Sequence, residues 1–191
     1  MSAAPRVPTR RLFFALWPSE SERRALLAAS QPALSQLECR AVAPRNLHVT
    51  LLFLGQVAVA HTPVLGELAA RVAARWHAGT VALRFAQLEH WARPAIVCAL
   101  ERGSGGAAAL LSEALRSAAV QAGFAPDLKP FRAHVTVARK VAHAASCQFT
   151  PVVWRSTSFV LVESRSVGGA SAYSVLESHL LVKAENVHEE P

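Results

Sequence analysis

Short apolar runs alternate with amphipathic stretches along the 191 residues of the chain. A short apolar run between turn-forming residues is typical of a buried strand, whereas apolar residues that recur every three or four positions indicate a helix. The runs predict strands at 11–17, from about 46 to Gly55, 81–88, 95–100, 132–138, 158–163 and 173–183. The amphipathic stretches predict helices from Ser19 to about Gln31, where Pro32 ends the helix, at 63–76, and at 107–122, closed by Gly123.

The order strand, helix, strand occurs twice, which indicates an internal repeat of about 90 residues. The glycines within 167–170 predict a hairpin turn near the end of the chain. Few helices could serve as crossovers, so we predict an α+β fold with two largely antiparallel sheets flanked by helices. We expect one domain over 1–191 with two pseudo-symmetric lobes, at about 10–90 and 94–183, on either side of a central cleft. The ends, 1–9 and 184–191, are predicted to be flexible tails.

The composition favours a folded protein with an anionic partner. Hydrophobic residues make up 52% of the chain and charged residues 17%, which excludes a disordered chain. The formal net charge is +7, but the basic residues are scattered and form no polybasic tail. A compact anionic substrate therefore fits the charge better than a long duplex nucleic acid does.

The three cysteines are far apart in the sequence and show no metal-ligand spacing. We interpret them as reduced thiols of a cytoplasmic protein. No cofactor and no metal are predicted, because no histidine pairs with a carboxylate or a cysteine at ligand spacing. No apolar run has the length of a membrane span, so no membrane association is expected.

Two segments of the chain match each other, Asn46–Leu52 and Arg132–Ala138. Each contains a histidine followed two residues later by a threonine: His48 with Thr50, and His134 with Thr136. Residues i and i+2 of a strand point to the same face, so each segment presents an imidazole beside a hydroxyl. Two such strands facing one cavity would provide an apparatus for acid–base chemistry on a phosphate. The alternative without catalysis is that the histidines are structural and that the threonines are present because threonine forms strands well.

These segments and their surroundings resemble the 2H phosphoesterase superfamily. Within it, the chain resembles the bacterial and archaeal RNA 2′,3′-cyclic phosphodiesterases, also known as 2′-5′ RNA ligases. The resemblance covers nearly the whole chain and rests on the stretches 11–16, 46–55, 93–94, 131–139 and 161–165. One departure is Ala133, where family members often have proline; this change removes no chemical group.

The resemblance implies metal-independent hydrolysis of an RNA or nucleoside 2′,3′-cyclic phosphate to a 2′-phosphate, with reverse 2′-5′ ligation possible. Histidine suits this chemistry because its ordinary pKa is about 6.5. We assign His134 as the base toward water and His48 as the acid toward the leaving oxygen; the opposite division of these roles stays open. Thr50 and Thr136 would donate hydrogen bonds to the phosphate oxygens.

Two further residues are assigned to substrate binding. Arg139 follows His134 by five residues, so strand alternation alone turns it away from the cavity; the resemblance implies a phosphate ligand there if the strand ends or bulges first. Phe13 and Phe14 lie on opposite faces of the first strand, and we assign Phe14 as the aromatic that stacks on the base. Tyr173 and Arg165 are weaker candidates, and all four tryptophans are interpreted as packing residues.

Two other functions remain open. The same site could act on another small cyclic or 2′-5′ phosphodiester, because the cleft loops decide the substrate. The chain could also be a nucleotide- or RNA-binding module without turnover, although the intact histidine and threonine pairs argue against this. We expect a monomer, because both halves of the site lie on one chain.

Overall fold

The structure, a computed structural model, describes residues 7–103, 106–127, 129–168 and 170–181. Both predicted tails lie largely outside these ranges. The strands are β1 (Thr9–Leu16), β2 (Arg40–Ala41), β3 (Val49–Ala58), β4 (Val81–Trp91), β5 (Ile96–Glu101), β6 (His134–Arg139), β7 (Cys147–Ser156), β8 (Ser158–Val167) and β9 (Ala170–Leu180). The α-helices are α1 (Glu20–Leu34), α2 (Thr62–Ala74) and α3 (Gly106–Gln121).

The strands form two antiparallel sheets, which confirms the predicted α+β fold. The first sheet has the order β3-β1-β8-β9 and the second β2-β6-β5-β4-β7. The C-terminal hairpin β8–β9 thus joins the first sheet, while β4 belongs to the second. Each sheet therefore combines strands from the first and the second half of the chain.

Two strands of the second sheet were not predicted. Strand β2 has only two residues and pairs with the end of β6. Strand β7 contains Pro151 and lies at the outer edge of the sheet, beside β4. Proline cannot donate a hydrogen bond to a neighbouring strand and is tolerated at such an edge, so its presence concealed the strand in the sequence.

Helix α1 begins as predicted but extends further. Ser19 and Glu22 form a capping box at its start. Pro32 lies inside the last turn and does not end the helix, which runs to Leu34. The proline removes one intrahelical hydrogen bond, but the Ser35 N–H still donates to the Gln31 carbonyl at 2.9 Å. The predicted end at Gln31 is therefore wrong by one turn.

One large hydrophobic core joins the helices to both sheets. It includes Leu12 and Phe14 of the first sheet and Val135 and Val137 of the second, all fully buried. Helices α2 and α3 pack against each other, α3 also contacts β3, and α1 packs against β7. The opposite faces of the central strands are left to border a cleft. In the part of the chain that the structure describes, no helix has the length and apolarity needed to cross a membrane.

Candidate active site

The two matching segments lie on β3 and β6, which contact each other across the two sheets. Within each segment the histidine and the threonine are half-buried, while the residues between them point into the core. The buried positions are Val49 and Leu51 on one side and Val135 and Val137 on the other. The predicted alternation is therefore present in both segments, and each sheet presents one imidazole and one hydroxyl on the same face.

A β-bulge in β6 brings Arg139 to the cavity. Cys98 of β5 lies opposite Thr136, and Val97 lies opposite Ala138, so Val137 is an extra residue in the strand. An extra residue reverses the faces of all positions that follow it. Val137 and Ala138 are consequently both buried, and Arg139 faces the same side as His134. The condition stated for Arg139 is thus met by the backbone.

Strand β3 has the same irregularity at the equivalent place. Ala15 lies opposite Thr50, and Phe14 lies opposite Leu52, so the extra residue is Leu51. The position equivalent to Arg139 is then Phe53, which also lines the cavity. The repeat therefore extends beyond the His-x-Thr segment itself. At the equivalent position, β3 carries an aromatic ring and β6 a guanidinium.

The predicted residues meet around two adjoining cavities. The smaller, of about 220 Å³, is lined by His48, Thr50, Thr136 and Arg139, together with Phe13 and Tyr173. The larger, of about 600 Å³, is lined by His134 and shares Thr50 and Phe53 with the first. A group placed at the shared wall would have one motif histidine on either side.

Both imidazoles are held by the same main-chain contact. Nδ1 of His48 lies 2.7 Å from the Asn46 carbonyl oxygen, and Nδ1 of His134 lies 2.7 Å from the Arg132 carbonyl oxygen. A carbonyl only accepts, so Nδ1 carries the proton and donates it in each ring. In the neutral ring, Nε2 is then free to accept a proton. In the charged ring, Nε2 carries a proton and can donate it.

The surroundings of His48 disfavour its charged form. Its pKa is lowered to about 4, mainly by burial and further by the positive charges of His134 and Arg139, against the opposing effect of the Asn46 carbonyl. Three aromatic rings surround the imidazole: Phe13 and Tyr173, each with a centroid 5.0 Å away, and Trp17, which stacks on it at 5.5 Å. Burial also lowers the pKa of His134, whose ring lies 4.6 Å from Trp91.

We expect wild-type stability to fall relative to a His48→Gln variant as the pH drops from about 6.5 to 4. In this window the unfolded histidine binds a proton and the folded one, with its pKa of about 4, does not. The unfolded state therefore takes up more protons, and acid lowers the free energy of unfolding. The full difference reaches about 3 kcal/mol. Urea denaturation at pH 7 and pH 4 measures the free energy of unfolding. The control His143→Gln, at an exposed position, should lose as much of it as wild type does. A His48→Gln variant that loses as much as this control would contradict the expectation.

The assignment of Phe14 to substrate binding is wrong, because this ring lies in the core and its neighbour Phe13 faces the cavity. Phe14 is fully buried and packs edge-on against Phe159, with centroids 6.0 Å apart. Phe13 lies opposite Phe53 in the sheet and lines the smaller cavity with it. The sequence shows that the two rings face opposite sides of β1, but only the pairing with β3 reveals which side is the cleft.

Two tryptophans that were interpreted as packing residues contact the motif histidines instead. Trp17 stacks on His48 with an interplanar angle of 14°, and Trp91 lies against His134 at 53°. Trp17 has the same parity along the chain as Phe13, which is the signal that places both rings on the cleft face. Tyr173 does line the cavity, whereas Arg165 is paired with Glu163 at 2.8 Å.

The described ranges hold no cluster of three or more histidine, cysteine, aspartate or glutamate side chains able to bind a metal. All three cysteines are free thiols. Cys98 is buried beside the site, with its sulfur 3.8 Å from the Thr136 hydroxyl, and burial raises the pKa of its thiol. A buried, protonated thiol of this kind packs against the threonine and is a poor nucleophile.

Two antiparallel sheets that face each other with one His-x-Thr segment apiece are the arrangement of a two-histidine phosphoesterase. Residues 17–166 match the 2′-5′ RNA ligase superfamily, and the chain belongs to this family. It is 29% identical to the RNA 2′,3′-cyclic phosphodiesterase of Escherichia coli, over 91% of this chain and 98% of that protein. It is 32% identical to the Thermus thermophilus protein of the same name, over 90% of each. The crystal structure of E. coli LigT complexed with 3′-AMP superposes with a TM-score of 0.77 at 26% identity, covering 92% of this chain and all of that one.

Proposed function

We propose that this protein is a metal-independent phosphodiesterase that opens a 2′,3′-cyclic phosphate at an RNA end or on a nucleoside and leaves a 2′-phosphate. The observation that carries the proposal is the pair of histidines, each held through Nδ1 by a main-chain carbonyl, in two cavities that share a wall containing Thr50. The names of the relatives from E. coli and T. thermophilus support the substrate class.

The reaction requires one proton to be removed and one to be supplied. Water attacks phosphorus in line with the departing 3′-oxygen, so base and acid must lie on opposite sides of the phosphate. We assign Nε2 of His134 to take the proton from water and Nε2 of His48 to protonate the 3′-oxygen as its bond to phosphorus breaks. The 2′-oxygen keeps its bond, which yields the 2′-phosphate. In 2′-5′ ligation the 5′-hydroxyl of a second RNA end takes the place of water, and the two histidines keep these roles; they exchange only when a 2′-5′ linkage is cleaved back to the cyclic phosphate.

The developing charge on the phosphoryl oxygens must be met by fixed donors. Thr50 and Thr136 would supply one hydroxyl each from opposite sheets, and Arg139 would supply a guanidinium suited to contacting two oxygens at once. Donors already positioned before the reaction stabilise the transition state without further reorganisation. This set can bind a phosphate without a metal ion.

We expect the kcat/KM profile to be bell-shaped with its maximum on the acidic side of neutrality. The productive free enzyme carries one proton on the histidine pair, and this form is most populated between the two pKa values. Both lie below the ordinary 6.5, that of His48 at about 4. A bound phosphate anion favours the charged imidazoles and raises both pKa values, so the kcat profile should lie at higher pH. Initial rates from pH 4 to 9 measure both profiles; a pH-independent kcat/KM would contradict the acid–base pair.

The proposed activity is tested with a short RNA that ends in a 2′,3′-cyclic phosphate, in the presence of EDTA, with the 2′- and 3′-phosphate products resolved. Conversion to the 2′-phosphate supports the proposal. A folded protein that binds the RNA without converting it would instead be a binding module. If it neither binds nor converts the RNA, the remaining candidate is another small cyclic or 2′-5′ phosphodiester.

We further propose that the protein works as a monomer in the cytoplasm. One chain supplies both histidines, both threonines and Arg139, so a second copy is not needed to complete the cavities. The three free thiols are consistent with a reducing compartment.

A further inference from the structure

A third cavity, of about 340 Å³, adjoins the smaller one through Arg139, Ser171 and Tyr173. We call it the arginine groove; its polar lining consists of Arg40, Arg45, Asn46, Arg139, Ser171 and Tyr173. The Asn46 side chain donates to the Ser171 carbonyl at 2.9 Å, and its own carbonyl holds His48. Asn46 thus forms a wall common to the groove and to the surroundings of His48.

The groove concentrates positive charge that the fold itself does not neutralise. Arg40 and Arg139 lie directly opposite each other on β2 and β6, so their side chains share one face of the sheet. Like charges at directly opposed positions destabilise a sheet. Neither these two arginines nor Arg45 lies within ion-pair distance of a carboxylate in the described part of the chain. An anion bound between them would offset this repulsion.

The cavity beside His134 has a different charge balance. Its three basic residues are each paired with an acid: Arg116 with Glu113, Lys129 with Asp127, and Arg132 with Glu89. Arg10 and Arg165 of the first sheet share Glu163 in the same way. Arg11 also lines the smaller cavity, but its guanidinium lies over the Phe53 ring, 4.9 Å from the centroid. The cluster of three arginines without an ion-pair partner in the described ranges is thus on the groove side, which marks the direction in which a polyanionic strand would leave.

We propose that the arginine groove binds the phosphate on the 5′ side of the nucleotide that carries the cyclic phosphate, so that the enzyme favours oligonucleotide ends over unphosphorylated mononucleotides. This proposal rests on the proposed function. A cyclic phosphate occupies the 3′ terminus, so the whole of the remaining RNA lies on the 5′ side. The next anionic group of the substrate is therefore this 5′-phosphate. Arg40 and Arg45 contact it, whereas Arg139 lies between the two phosphates.

The test compares two substrates that differ by one phosphate: adenosine 2′,3′-cyclic phosphate with a free 5′-hydroxyl, and the same compound with a 5′-phosphate. We expect the wild-type protein to prefer the 5′-phosphorylated substrate in kcat/KM, by about 3–30-fold for charged contacts shared with solvent. An Arg40→Gln/Arg45→Gln double variant should lose this preference, through a higher KM for that substrate. Its kcat/KM for the 5′-hydroxyl compound should stay within about twofold of wild type, which also shows that the variant is folded.

Arg24→Gln is the matched control, because Arg24 is an exposed arginine on α1 that pairs with Glu20; it should keep the preference. Raising the salt concentration should reduce the wild-type preference, because exposed charges are screened. Equal kcat/KM values for the two substrates in the wild-type protein would overturn the groove proposal, as would a double variant that retains the preference. Turnover of neither substrate, nor of a longer RNA, would instead reject the proposed function.

Discussion

Replacing either motif histidine by alanine, His48→Ala or His134→Ala, is expected to lower kcat by about 10²–10⁴-fold, the usual contribution of a positioned acid or base. Each imidazole is held through Nδ1 by a carbonyl two residues earlier, so Nε2 is the atom left for proton transfer. The kcat of the double variant should be only slightly lower than that of the less active single variant, because the effects of groups that act as a unit are not additive. Steady-state rates on an RNA 2′,3′-cyclic phosphate measure these losses.

His77→Ala is the matched control, since His77 is exposed and lies in the turn after α2. It should retain wild-type rates. Each histidine variant should also keep the circular dichroism spectrum and an unfolding transition close to those of wild type at pH 7. A folded His48→Ala or His134→Ala variant with normal kcat would remove that residue from the mechanism.

A substrate with sulfur in place of the bridging 3′-oxygen separates the acid from the base. A thiolate leaves without protonation, so the variant that lacks the acid should recover on this substrate, while the variant that lacks the base should not. Under the proposed assignment, recovery occurs in His48→Ala. The pH profile cannot tell the acid from the base, because the bell-shaped kcat/KM curve has the same position whichever histidine holds the proton. Recovery in His134→Ala instead would reverse the roles, as the lower pKa of His48 in the free protein would favour.

The placement of the candidate histidines and threonines on one face was predictable because its signal is local. A histidine and a threonine two positions apart share a face in any strand, whatever that strand pairs with. The bulge after Thr136 also has a local signal that was not used: Val137-Ala138 is an adjacent apolar pair, which interrupts the alternation. Such a pair indicates that the following residue changes face, and it would have placed Arg139 at the cleft. The equivalent bulge after Thr50 has no such signal, because 51–54 is a continuous apolar run.

The remaining features depend on which strands pair, and this was not visible in the sequence. Phe13 and Phe14 could be separated only by the register between β1 and β3. The assignment of strands to the two sheets is equally non-local, because the β8–β9 hairpin from the end of the chain pairs with β1 from its beginning. The arginine groove likewise arises because β2 pairs with β6, which brings Arg40 opposite Arg139.

The loss of either threonine hydroxyl, in Thr50→Val or Thr136→Val, should lower kcat by about 10–10³-fold. Removing one positioned oxyanion donor from a closed site lowers kcat by up to about 10³-fold. Both hydroxyls are only half-buried, so solvent access makes the loss of kcat smaller here. Valine keeps the branched shape that suits a strand, so the change isolates the hydroxyl. Thr136→Val also removes the partner of the Cys98 thiol, 3.8 Å away, whereas Thr50→Val does not.

Serine is the matched replacement, because Thr50→Ser and Thr136→Ser keep the donor and should retain most of the activity. The division between kcat and KM carries the argument. A hydroxyl that acts on charge developing in the transition state affects kcat, whereas one that binds substrate and transition state equally affects KM alone. Kinetics on the cyclic phosphate would therefore contradict the predicted role if both valine variants raised KM and left kcat unchanged. In that case Arg139 and the histidines would have to stabilise the transition state by themselves.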